Sequence, residues 1–195
     1  MGYKGNMRNL PMHTFRHLLI SALMLLLVSC DEVQNRSQDI ADEKDSLSID
    51  NSEFYIRYPS TWTLDRSGKM GSNFILFASP DNDTDDFREN INLMIQNLAG
   101  ANVDMDKFVE VSENQIKSKT MPNSQLISSE RKSLADGEYH KLIYTGDQGI
   151  HHLQFEAYCW IKNEKAYVLT FSAEQVEFKN YQSIAESILD SFKLK

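Results

Sequence analysis

Apolar and polar residues alternate from Ser52 onward, and the alternation predicts strands. In "EFYIRYPSTW" Phe54, Ile56 and Tyr58 share one face until Pro59 ends the run. "NFILFAS" and "NINLMIQNL" read as two more strands, the second placing Ile91, Leu93 and Ile95 on one side. The spacing then changes. In "VDMDKFVEVSENQIKSK", Met105, Phe108, Val109 and Ile116 fall on one helical face behind Asp104, a suitable N-cap. A weaker strand follows near Gln125 to Arg131. Residues 138–145, 151–161 and 166–173 predict three stronger strands, joined by "GDQG" and "NE" as antiparallel hairpins. Tyr181, Ile184, Ala185, Ile188, Leu189 and Phe192 follow the i, i+3, i+4, i+7 rule of a closing helix.

The last two hairpin strands are apolar on both faces. Leu153, Phe155, Ala157, Cys159 and Ile161 point one way; Tyr158 and Trp160 point the other, where the partner strand adds Tyr167, Leu169 and Phe171. A sheet apolar on both sides needs cover on both sides. The expected fold class is therefore α+β, an antiparallel sheet of about six or seven strands with helices on both faces.

Ahead of this domain the pattern is different. Residues 18–28, "LLISALMLLLV", form an unbroken apolar run that as a helix spans roughly 16 Å, about half of the ~30 Å hydrocarbon core. It matches a signal-peptide apolar region behind a basic segment holding Lys4, Arg8 and Arg16; Met1, Met7 and Met12 are all candidate starts. Leu27-Val28-Ser29-Cys30 resembles the lipobox of bacterial lipoproteins. That resemblance implies cleavage between Ser29 and Cys30, acylation of the Cys30 thiol, and a domain anchored on the extracytoplasmic side of an envelope membrane. Several acyl chains, at ~0.8 kcal/mol per buried CH₂, would hold it firmly. Residues 31–51 are polar, acidic and free of aromatics, and read as a disordered tether. The expected organisation is thus a signal peptide over 1–29, lipidated Cys30 and a tether over 30–51, and one globular domain over 52–195.

Charge narrows the partners. The formal net charge is −8, and removing the three cations of residues 1–29 leaves −11. Such a chain has little with which to neutralise phosphates, so nucleic acid is not an expected partner. The expected partners are a lipid bilayer, through Cys30, and an envelope protein.

Candidate chemistry is sparse. "DNDTDDFRENIN" opens like a Ca²⁺ loop with Asp81, Asp83 and Asp85. However, Asp86 stands where glycine is needed and Asn92 where a bidentate Glu is needed, so the three acids are weak metal candidates. His151 and His152 are adjacent on a strand and point to opposite faces, so they do not share an ion. With "GDQG" closing the hairpin, His140 is expected opposite Phe155. Cys159 reads as a buried, inert thiol with no positioned base. There is no G-x-S-x-G elbow, no H-E-x-x-H and no phosphate-cradling glycine loop, and neither catalysis nor a cofactor is expected. Trp62, beside a proline turn, is expected to pack in the core.

The segments in this order resemble the PsbP-like superfamily, which includes DcrB-like bacterial lipoproteins. "FYIRYPSTW" is similar to its opening strand, "FRENINLMIQNL" to its aromatic-x-x-Asn-hydrophobic-Asn strand, and "IAESILDSF" to its closing helix with a terminal Ser-Phe. The resemblance implies a non-catalytic docking or assembly role; the second expectation, from a different class, is a small-ligand carrier with its pocket between a helix layer and the sheet.

Overall fold

The computed structural model describes residues 45–80, 82, 85–134 and 137–195, which lie in one compact unit, residues 37–195. Ser29, Cys30, Asp81 and Asp83 fall outside the described residues, as do the signal segment and most of the predicted tether.

Among the described residues, ten strands and two α-helices follow one another as β1 (Ser46–Asp50), β2 (Phe54–Pro59), β3 (Thr63–Asp65), β4 (Phe74–Phe77), β5 (Asn90–Asn97), α1 (Met105–Lys117), β6 (Gln125–Leu134), β7 (Gly137–Gln148), β8 (His151–Lys162), β9 (Lys165–Glu174), α2 (Phe178–Asp190) and β10 (Lys193–Leu194). Seven strands form one antiparallel sheet in the order β3-β4-β5-β9-β8-β7-β6, and β1-β2-β10 form a small second sheet. The α+β expectation holds, with α1 and α2 both laid on the large sheet.

The two faces differ in cover. Tyr167, Leu169, Phe171 and Ala173 of β9 join Ile91, Leu93, Phe74 and Leu76 in one core. Over it lie α2, through Ala185, Ile188 and Leu189, and the small sheet, through Phe54, Ile56 and Tyr58. Trp62 is buried in the same core, as expected. The closing Ser-Phe pair ties these parts together. Ser191 Oγ accepts from the Arg57 N–H at 2.9 Å, and Phe192 stacks on Phe54 and packs against Trp160. On the opposite face α1 reaches β6 and β7 through a smaller cluster, Met105, Val109, Leu142, Ala157 and Cys159.

Two boundaries differ from the sequence reading. Ser46–Asp50, assigned to the tether by composition, is a strand paired with β2, and Ile49 is buried. One buried apolar residue suffices there, Leu47 being exposed, because β2 supplies a ready ladder. The β7–β8 hairpin closes at Gly149-Ile150 instead of across "GDQG", since Gly149 takes φ +65° and allows a two-residue turn. His140 consequently lies opposite Cys159 and not Phe155.

Candidate functional site: two cavities on opposite sheet faces

Beneath α1 the strand residues become small. Along β8, Leu153 and Phe155 give way to Ala157 and Cys159 on the same face, and the helix lies mainly over β6 and β7. The space left is a cavity of about 440 Å³ lined by Phe108 and Ile116 of α1, Met121, Leu142, Tyr144 and Val168. α1 starts where Asp104 Oδ1 accepts the Lys107 N–H at 2.8 Å. Its far end is closed by residues 118–124, pinned by Ser124 Oγ to the Ile116 carbonyl and by the Asp147 N–H to the Pro122 carbonyl. Asp147 also accepts from Asn123 and pairs with His152 at 2.7 Å, and these bonds, His152 first, hold its carboxyl below the usual range. Met121 lies against Gly146 so closely that a Cβ there would overlap its Cε.

The ionisable groups of this face are kept neutral or compensated. Burial pushes both the Cys159 thiol and the Tyr144 phenol up to about 12. Burial, helped by Arg131, also lowers the His140 pKa, so this ring is neutral at pH 7. His140 Nε2 lies 2.7 Å from Ser129 Oγ, and Ser129 also bonds the Glu113 carboxylate, which Lys117 and then Ser129 hold below its ordinary value. His140 Nδ1 is buried without a hydrogen-bond partner among the described residues.

The other face holds a buried charge. Glu156 is fully buried in a cross-strand row with Ile143, Phe171, Ile91 and Leu76. Lys141 Nζ lies 2.6 Å from its Oε1 and 3.2 Å from Glu186 Oε1 on α2. The first approach is a charge contact outside hydrogen-bond geometry. Burial raises the Glu156 pKa despite Lys141. Burial alone would depress Lys141, but the two carboxylates outweigh it and raise its pKa. Asp190, one turn beyond Glu186, is raised by burial against a bond from Tyr158. Glu186 and Asp190 line a polar cleft of about 670 Å³ between α2 and the small sheet, with Arg57, Tyr55 and Lys193 on its other wall.

The sequence-predicted residues are scattered. Asp85 accepts from the Phe87 N–H at 3.2 Å, and no group of three metal-ligating side chains occurs among the described residues. His151 meets Glu174 at 3.4 Å and packs on Phe87, away from the His152–Asp147 pair. Cys159 is buried, as expected, but has His140 as its cross-strand neighbour. Sequence reasoning missed Glu156 and the Ser129–His140 contact. The first left a signal, an acid between Phe155 and Ala157 inside a strand apolar on both faces.

Solved structures share this fold. The cyanobacterial PsbP of Synechocystis sp. PCC 6803 superposes with a TM-score of 0.53 at 16% identity, over 77% of this chain and 93% of that one. LpqN of Mycobacterium tuberculosis, involved in cell envelope biogenesis, gives 0.54 at 12% over 77% and 90%. The Ran-binding protein Mog1p of Saccharomyces cerevisiae gives 0.50 at 9% over 76% and 94%. At these identities the likeness is one of fold. Comparison with curated proteins gives no match. Residues 17–194 match the family model described as PsbP-like protein, so the chain belongs to the PsbP-like family.

Proposed function

We propose that this chain is a lipid-anchored, non-catalytic binding module of a bacterial cell envelope. The observation that carries this reading is the match of residues 17–194 to the PsbP-like family model. Membership of the PsbP-like family supports a binding role, as do similar folds in a Ran-binding protein and an envelope biogenesis protein. No helix among the described residues is long and apolar enough to cross a membrane; the anchor in this reading is Cys30 with its acyl chains. The protein docks an envelope partner through the folded domain, held near the bilayer by the segment between Cys30 and Asp45.

Intact-mass analysis of protein extracted from membranes tests the anchor. A mature chain beginning at Cys30 with added diacylglycerol is expected, together with release of Cys30→Ser into the soluble fraction. An unmodified thiol in a membrane-bound protein would sink this reading. Crosslinking in whole envelopes tests the binding half: a defined partner is expected with wild type, and failure to capture one would sink that half.

The cavity beneath α1 favours a second reading, a small-ligand carrier. Its apolar lining and volume fall within the ordinary range for ligand pockets.

A further inference from the structure

The cavity beneath α1 has no charged side chain in its lining, and its two ionisable groups, Tyr144 and Cys159, stay protonated throughout the physiological range. A charged group entering it would shed its hydration and meet no counter-ion. The hydroxyls and amide of the helix side stand opposite a sheet side whose polar groups are the Tyr144 phenol and the Cys159 thiol. Ser112, Gln115 and Thr120 supply hydroxyls and an amide, and Gln115 and Thr120 are exposed. Ser112 Oγ already donates to the Phe108 carbonyl at 2.8 Å, which leaves its lone pairs as acceptors. The opposite side is Ala157, Cys159, Leu142 and Val168 on the sheet. Met121, an unbranched and adaptable thioether, rests on Gly146, where no side chain competes for its position.

Resting on the second reading above, we propose that this cavity binds a single aliphatic chain ending in a small uncharged polar group, the chemistry of a medium-chain monoacylglycerol. The chain lies over Ala157 and Cys159, and the neutral head meets Ser112, Gln115 and Thr120. An acyl chain that carries its own carboxylate gains no counter-ion from this lining and binds more weakly than the neutral head.

Residues 37–195 contain both hydrophobic clusters and every strand pairing described, so this fragment is suitable for the test. Calorimetry with monodecanoylglycerol below its micellar concentration should give saturable binding, and the Met121 methyl resonance should shift with the same midpoint. Decanoate at pH 8 should bind at least about tenfold more weakly. Ala157→Leu fills the sheet side of the cavity and should abolish binding. If that variant fails to fold, Thr120→Trp at the exposed rim should weaken binding by about tenfold or more. Absence of saturable binding by the wild type, equal binding of decanoate, an unmoved Met121 methyl, or undiminished binding by Thr120→Trp would each overturn the proposal. None of these results bears on acylation of Cys30 or on a protein partner, so the two readings fail separately.

Discussion

On the α2 face of the large sheet, Ile91, Leu93, Leu169 and Phe171 are fully buried beneath a helix and a second sheet. On the α1 face of the same two strands stand Asn90, Asn92, Thr170 and Ser172. The helix on this side, α1, is set toward β6 and β7. The first face therefore carries most of the packing free energy, and the second leaves room for a cavity. One sheet thus separates stability from the capacity to take a ligand. A substitution should reveal which side it touches by whether it costs folding or binding.

The largest expected effect is on the crowded face. Phe171→Ala should destabilise the protein by about 3–5 kcal/mol, since it empties a fully buried aromatic site. Lys141→Met should cost about 3 kcal/mol by leaving Glu156 buried without its cation. Phe108→Ala, on the half-covered helix over the cavity, should cost only about 1 kcal/mol. Urea titrations of the three variants measure the gap. Equal losses for Phe171→Ala and Phe108→Ala would erase the distinction between the faces.

The pH dependence sharpens the same contrast. The folded protein holds the Glu156 proton to higher pH than the unfolded chain does. From the ordinary value of 4.5 up to the raised folded value, rising pH therefore favours unfolding through this group. Glu156→Gln removes that contribution and leaves Lys141 with Glu186. Stability of the Gln variant minus that of wild type should grow with pH across that window and level off above it. Denaturation at a series of pH values gives the curve, and parallel wild-type and variant curves would show that the carboxyl is not desolvated. His140 acts in the opposite direction on the cavity face. Its folded pKa lies below 6.5, so its contribution to stability is lost as pH falls below that value.

The crowded face was largely legible in the sequence. Alternation at Phe54, Ile56 and Tyr58, and the i, i+3, i+4 spacing of α2, state directly which side is buried, because period and burial are the same geometric fact. The α1 helix and its Asp104 cap were legible for the same reason. The small second sheet was not. Ser46–Asp50 and Lys193–Leu194 are short and polar, and they form strands because β2 lies between them. The cavity was equally hidden, since it depends on the Ala157 and Cys159 side chains being small relative to a helix whose position the sequence does not encode. The two-residue hairpin turn moved His140 into register with Cys159, a shift that glycine placement alone did not reveal.

The smallest expected effect lies at the β8–β9 turn, which serves both faces equally. Asn163 and Glu164 both take left-handed backbone angles, φ +52° and +55°. Asn tolerates that region, but a glutamate side chain does not gain from it, and Glu164 is exposed. Glu164→Gly creates the Asn-Gly pair that such turns favour and should stabilise the protein by about 0.5–1 kcal/mol. The bond from the Leu98 N–H to the residue-164 carbonyl involves only backbone and is retained. Because β8 and β9 contribute to both clusters, the gain should add to Phe171→Ala and Phe108→Ala alike. A gain seen with only one of them would mean that the two faces unfold separately, and the sheet would then be a hinge between two halves rather than a shared wall.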